Sequence, residues 1–494
     1  MSPRNGLFAF LLLSVIACGG STTAPAPDEP SGGGDVGGSD GSRDNGTDGT
    51  GGATTGGIGG EVAFPSMDAG YFTTTVPSEN AGPDGVTVRV YHPATANRRF
   101  LEGAPIVINV RGGWGNNGLG PEEVNAETEA HGYVLVDVLL PGGKSADGAV
   151  SGGSYDYRGP NCVAAIRDAI RYAGGTLEDS DGNSLTDRVP FALADQIGMY
   201  GGSNGGNLAI VTLAEHGEEL PDVKWVVTWE SPIGDQYAAV ELNGNAFYTP
   251  GSCSVTSCPW PRLERELRFD PDGTTNVQQT MFVGVLFLDS NHNGSHDPSE
   301  LDFGRVLGPG DNPSSPKLYV SQELSATLDA HHATIFGANA TPPWLASTSE
   351  VKSFWQSRDA SLRIAEAATN FPSLMVMHLG SAKDHVQSLP DYPHARSHMS
   401  AWLVARHGFV RLNPDAAYMA ALSGQDVSAF PDNDANTEVA WPNTVLAMIP
   451  EFVNGKKMDP FIATAGMLEM MDRVFFANSS PGIDTVLAPP LESD

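Results

Sequence analysis

Between residues 197 and 211 the chain reads Ile-Gly-Met-Tyr, then Gly-Gly-Ser-Asn-Gly-Gly, then Asn-Leu-Ala-Ile-Val. An apolar strand signal that breaks into glycines and restarts as an apolar helix leaves few compact solutions. The simplest is a strand, a sharp turn with Ser203 at its apex, and a helix folded back against the strand. Gly201 and Gly205 flank Ser203 at the two offsets of a G-x-S-x-G elbow, where side chains would collide with the neighbouring strand and helix. Such a turn pushes the serine hydroxyl out past the edge of a buried sheet. An ordinary serine in a chance glycine turn is the plain alternative, and the flanking segments weigh against it.

The rest of the chain supplies that sheet. A predicted hairpin, residues 71–76 and 86–91, surrounds Gly82-Pro83-Asp84-Gly85. Continuous apolar runs follow at 105–110, 133–140, 197–200, 225–229, 374–379 and 409–412, without the polar alternation of a half-exposed strand. Helical patterns at 161–172, 206–216, 360–368 and 394–406 fall between them. This alternation predicts an α/β fold with a mostly parallel, doubly wound sheet, and Ser203 ends its fifth strand.

Over residues 70–415 the pattern resembles the α/β-hydrolase fold, and GGSNGG followed by Asn207-Leu208-Ala209 is most similar to the prolyl oligopeptidase family of serine peptidases and esterases. The stretch ahead of the first strand is far too short for the β-propeller those peptidases carry. The resemblance implies a serine hydrolase acting through a Ser-His-Asp arrangement, with Ser203 as nucleophile. Arg111-Gly112-Gly113-Trp114-Gly115 stands where esterases of this fold carry an HGGG-like oxyanion loop, with arginine in place of histidine. Backbone N–H groups of Gly112, Gly113 and Asn204 are the expected oxyanion donors. The acid of the family follows the seventh strand, which places it at Asp384 within Gly380-Ser381-Ala382-Lys383-Asp384. The base should follow the eighth strand, yet no histidine occurs after His407. His394 and His385 are the leading candidates, ahead of His398 and His407. Neighbours in extended chain point opposite ways, so His385 would more naturally use Glu230 or Asp235 as its acid, and His394 would use Asp384.

Between the sixth and seventh strands lies a predicted cap insertion, residues 235–370. Inside it, Asp289, Asn291, Asn293, Asp297 and Glu300 occupy positions 1, 3, 5, 9 and 12 of an EF-hand loop, with Gly294 at position 6 and Ser295 at the backbone-carbonyl position. Oxygen donors of this kind select a hard cation, and calcium as a structural cofactor is the expectation; an Asn/Asp-rich turn is the alternative. A poorer copy, Asp179, Asp181, Asn183 and Asp187, precedes the fifth strand. It reads equally as a weaker calcium site or an acidic turn.

Arg4, an apolar core at residues 7–13 and Val15-Ile16-Ala17-Cys18 form a predicted export signal with a lipobox. Lipidation of Cys18 would anchor the chain to the bacterial envelope without spanning the membrane; an ordinary secretory signal would reach the same compartment. Residues 19–60 hold 16 glycines and almost no large apolar side chain, as a flexible tether does. Residues 61–494 are left for the catalytic domain. In an exported chain Cys253 and Cys258 are expected to pair, whereas Cys162 faces the apolar side of a helix as an inert thiol. The formal charge of −32 argues against nucleic acid as a partner and favours solubility and divalent-cation binding, or a saline habitat, while the small ester or peptide substrate is what the resemblance implies. A second function class stays open: a calcium-dependent surface binding protein on a hydrolase fold that has lost its base.

Overall fold

The protein is represented by a computed structural model that describes residues 63–113, 118–120, 124–221, 223–234, 267–272, 284–297, 300, 317, 319, 322–382, 393–405, 408–431 and 448–476. The signal, the tether, Cys253, Cys258, Asp384, His385 and His407 lie outside the described residues.

Eight strands form one sheet: β1 (Gly70–Val76), β2 (Val86–His92), β3 (Ala104–Val110), β4 (Val134–Val138), β5 (Ala192–Gly202), β6 (Val223–Trp229), β9 (Met375–Leu379) and β10 (Phe409–Leu412), in the order β1-β2-β4-β3-β5-β6-β9-β10. β1 and β2 pair antiparallel, as do β2 and β4, and every other pairing is parallel. All eight predicted strands are present in one mostly parallel sheet, as the resemblance to the α/β-hydrolase fold implies, with Ser203 at the end of the fifth.

Strand residues alternate between two cores, as a period of two requires. Ile106, Ile108, Val134, Val136, Val226 and Val376 face one layer. That layer holds α2 (Pro160–Ala173), α4 (Asn204–His216), α8 (Ile364–Asn370) and α9 (Pro393–Val404). Val107, Leu135, Val227, Met375 and Met377 face the other. There lie α1 (Val124–His131), α10 (Ala416–Ser423) and α11 (Asp459–Phe475). Because both faces are covered, the strands carry no polar stripe, which is why they were legible as unbroken apolar runs.

From sequence alone, residues 460–476 read as an apolar helix covering the sheet edge. The structure instead lays α11 against β5, β6 and β9 in the middle of the sheet, where its apolar residues complete the second core.

The insertion has a core of its own. Strands β7 (Leu267–Asp270) and β8 (Val285–Leu288) pair antiparallel. With α5 (Gln322–Ala330), α6 (His332–Phe336) and α7 (Thr348–Gln356) they bury Leu267, Leu286, Phe336, Val351, Phe354 and Trp355 in a third cluster. A short α3 (Leu185–Arg188) precedes β5, and β11 (Phe452–Val453) pairs with β12 (Lys456–Lys457) ahead of α11. Cys162 on α2 is a buried free thiol; burial first, and the nearby Asp156 second, push its pKa well above the ordinary value, so it stays protonated.

Candidate active site

Ser203 sits between β5 and α4 with φ +49° and ψ −132°, a backbone conformation strained for a residue with a side chain. The surrounding glycines show why this turn tolerates nothing larger. A Cβ on Gly201 would lie 2.5 Å from the Cα and N of Gly206, and one on Gly205 would lie 2.1 Å from the carbonyl oxygen of Val110. The turn is fastened by Ser203 N–H donating to Trp229 O at 2.7 Å and Gly206 N–H donating to Ser203 O at 3.0 Å. Ser203 itself remains half-buried at the carboxyl edge of the sheet, where open α/β sheets place their sites.

The glycine loop after β3 meets that turn. A Cβ on Gly112 would stand 2.5 Å from Gly202 O and 3.1 Å from Ser203 Cβ, so the two backbones approach as closely as glycine allows. Gly113 takes φ +82°. Arg111, in the place of the expected histidine, is drawn into a pair with a buried carboxylate. Its Nε and Nη2 donate to the two carboxylate oxygens of Asp137, each at 2.7 Å. Asp137 is fully buried and also accepts from Asn109 Nδ2 at 3.0 Å and from Gly120 N–H at 2.6 Å. Asn109 and Asp137 are register partners on β3 and β4, so the sheet itself aims this staple. Asn204, the third predicted donor, opens α4 and is buried.

Beside the elbow, Glu230 follows β6 with φ +45° and is 2% exposed; its Oε1 accepts from Ser381 Oγ at 2.8 Å. This carboxylate, weighed as an alternative acid, is held at the same sheet edge as Ser203. Among the described residues Ser203 Oγ makes no hydrogen bond to a histidine. At the end of β10, where this fold places its base, stands Asn413 with φ +64°, its Oδ1 accepting Gly380 N–H at 2.7 Å and its own N–H donating to His378 O at 2.8 Å.

His394 and His398 lie one turn apart on α9, and His398 stacks on His378 of β9 with ring centroids 4.4 Å apart. All three are buried. His378 Nδ1 is 2.9 Å from Thr228 Oγ1. Burial first, and the neighbouring histidines second, hold His378 well below its ordinary pKa. Burial and then His394 push His398 down to about 3, against an opposing contribution from the Ser231 backbone. His398 is therefore neutral in the folded protein at any ordinary pH and cannot be charged without cost.

That cluster fixes the sign of an acid response. An unfolded histidine takes a proton near pH 6.5, while folded His378 and His398 refuse it, so their stabilising contribution is complete above pH 6.5 and is lost as pH falls through their lowered folded values, about 3 for His398. The loss is expected to be on the order of 1 kcal/mol per pH unit as pH falls below 6.5. Urea unfolding at pH 7 and pH 5 should show the loss, and His398→Gln should shallow it; equal stability at the two pH values would contradict the buried cluster.

The described residues between Asp289 and Glu300 are bonded mainly to one another. Gly294 takes φ +80°, Asp289 accepts N–H of Asn293 at 3.0 Å and of Gly294 at 3.1 Å, and both Asn291 and Asn293 amides reach the Asp297 carboxylate at 2.6 and 2.9 Å. Glu300 closes the loop, its Oε1 accepting Ser290 N–H at 2.7 Å. Burial opposes its ionisation, but backbone N–H groups of Asp297, Asn291 and Ser290 outweigh burial and hold its carboxyl below the ordinary range. No trio of His, Cys, Asp or Glu converges as a metal group among the described residues, so any cation here would be held by a mixed carboxylate and amide set.

The second acidic loop does not fit a cation. Arg188 Nη2 already occupies it, donating to Asp179 at 2.7 Å and Asp181 at 2.6 Å, while Asp179 Oδ1 accepts Asn183 N–H at 3.0 Å. Asp187 caps α3 through Ser184 instead of facing the loop. The arginine five residues beyond Asn183 turns an acidic pattern into an ion pair.

No family model and no curated protein matches the sequence. Among solved structures, the chain is similar to a carboxyl esterase of the mycorrhizal fungus Tuber melanosporum, with TM-score 0.33, 11% identity, and 71% of this chain and 77% of that one covered. It is also similar to a hyperthermophilic esterase of the archaeon Pyrobaculum calidifontis, at TM-score 0.25 and 21% identity, over 36% of this chain and 51% of that one. An acylaminoacyl peptidase of Pyrococcus horikoshii aligns at TM-score 0.33 and 12% identity, over 70% of this chain and 36% of that one. The chain thus spans about half of the archaeal esterase and about a third of the peptidase.

Proposed function

We propose that the protein is a serine hydrolase that cleaves small carboxylic esters, or peptides, through an acyl-enzyme. The observation that carries this reading is the strained Ser203 elbow pressed against Gly112 of the loop after β3. Ser203 Oγ attacks the substrate carbonyl, and its proton passes to a histidine of the segment after β9, either His394 oriented by Asp384 or His385 oriented by Glu230 or Asp235. Backbone N–H groups of Gly112, Gly113 and Asn204 receive the oxyanion. The tetrahedral intermediate collapses with cleavage of the ester C–O or amide C–N bond as the histidine returns the proton to the leaving alcohol or amine; water, deprotonated by the same histidine, then attacks the acyl-enzyme, and Ser203 Oγ takes the proton back as the acid leaves.

The reading extends to a lipid-anchored, exported protein with Cys18 as the anchor, a cap formed by the insertion, and a disulfide between Cys253 and Cys258. Asp289, Asn291, Asn293, Asp297 and Glu300, with the Ser295 carbonyl, would hold calcium, which would brace the insertion by neutralising its clustered carboxylates. Calcium at a hundredfold excess over its Kd is expected to stabilise the fold by about 2.7 kcal/mol. Thermal unfolding with calcium and with chelator measures this; Asp289→Ala should abolish the difference, and identical midpoints in the unchanged protein would contradict the site.

Asn413 at the end of β10 favours one other reading, a calcium-dependent binding protein that keeps the fold without a base. Turnover of a panel of activated esters and aminoacyl amides separates the two. Ester hydrolysis by the full chain supports the enzyme, and a folded, calcium-loaded protein inert on the whole panel supports the binder.

A further inference from the structure

Three successive carbonyls of the glycine loop converge on one buried cation. Arg158 is 1% exposed; its Nη1 donates to Arg111 O at 2.6 Å and its Nη2 to Gly112 O at 3.1 Å and Gly113 O at 2.6 Å. In a trans peptide the N–H points opposite to the C=O. A guanidinium that gathers the carbonyls of residues 111 and 112 therefore turns the N–H groups of Gly112 and Gly113 away from itself. An arginine suits this task because its planar fork offers several donors in fixed directions, which an ammonium does not.

Arg158 is held in turn by a second buried arginine. Tyr157 and Arg158 take φ +57° and +65°, consecutive left-handed residues with side chains, which persist only where surroundings impose them. Arg358 Nε donates to Tyr157 O at 2.9 Å and its Nη2 to Asp156 O at 2.7 Å. The Asp156 carboxylate accepts N–H of Gly159 at 3.0 Å and of Asn161 at 2.6 Å, closing the segment onto the start of α2. Gly159 leaves the space Arg358 needs, since a Cβ there would lie 2.2 Å from Nη2. Arg358 comes from the return of the insertion, bonded to Phe354 O at 2.8 Å, and its own backbone is tied to the nucleophile helix: Asn207 donates to Arg358 O and accepts Ala360 N–H at 2.9 Å.

We propose that Arg158 is a positioning residue for the oxyanion hole, and that Arg358 sets it by linking the insertion and the Ser203 helix to the segment that carries it. The proposal rests on the serine-hydrolase reading. Arg158 touches no substrate; it fixes the direction of the N–H donors before charge develops.

The test uses the full chain. Fluorophosphonate labelling at Ser203 of the unchanged protein comes first, and failure to label overturns the hydrolase reading together with this one. With that reading secure, Arg158→Lys is expected to lower kcat about 10²-fold per folded molecule with KM within about twofold, the pattern of an interaction made in the transition state. Affinity for an aryl boronic acid, which binds as a tetrahedral anion, should weaken in parallel, and added guanidinium should restore activity to Arg158→Ala without affecting the unchanged protein. A kcat within threefold of the unchanged protein overturns the proposal, as does a loss accounted for by unfolded material alone. Should Arg158→Lys fail to accumulate folded, Arg358→Lys reads the link from the other end, with kcat expected to fall about tenfold at constant KM and an unchanged kcat overturning the proposal.

Discussion

Ser203→Ala is expected to lower ester turnover by about 10⁴- to 10⁶-fold while the protein remains folded. The size follows from the chemistry: without Oγ no acyl-enzyme forms, and what survives is the smaller acceleration that bound oxyanion donors give to direct attack by water. Folding should hold because the strain of the turn lies in the backbone. Alanine would occupy the same φ of +49°, and the 2.7 Å bond from residue 203 N–H to Trp229 O does not involve the hydroxyl. Turnover of an activated ester with the urea midpoint of the same samples measures both quantities. A variant with undiminished turnover would show that the hydrolysis belongs elsewhere.

The second large effect is on stability. Asp472 of α11 is 2% exposed and receives both ends of the Arg99 guanidinium, Nε at 2.7 Å and Nη2 at 2.6 Å, together with Tyr418 Oη at 2.7 Å. Burial, then Asp472, raises the Tyr418 pKa far out of range, so the phenol stays a donor. Asp472→Ala strands a buried cation and a buried hydroxyl at once, at an expected cost of about 3–5 kcal/mol. The loss should reach the whole fold, because α11 covers β5, β6 and β9. Chemical denaturation measures it; a loss below about 1 kcal/mol would mean the pair is replaced by water or another partner.

The sheet was legible because its strands are buried on both faces, and the elbow because a side-chain Cβ at the fixed glycine offsets would lie 2.1 to 2.5 Å from neighbouring backbone. Boundaries moved where caps and bulges intervene: the fifth strand begins at Ala192, with a shift in its pairing between Ile197 and Gly198. Other parts left no pattern to read. Arg158 is one arginine in a loop without periodicity, and its role appears only when three carbonyls from residues 111 to 113 are found around it. Glu469, Asp472 and Arg473 are charged positions on an otherwise apolar helix, where Arg411 and Arg99 reach in to pair with the acids, and all three helix residues are buried. Arg188 similarly converted a calcium-like spacing into an ion pair. In each case a distant or downstream cation changed the meaning of a local polar pattern.

The central claim is that Ser203 is an activated nucleophile, and fluorophosphonate labelling of the folded full chain, with the modified residue mapped by mass spectrometry, tests it most directly. The expected result is a single adduct on Ser203, absent from Ser203→Ala and slowed in Arg158→Lys. A folded, calcium-loaded protein that takes no label at Ser203 would contradict the account.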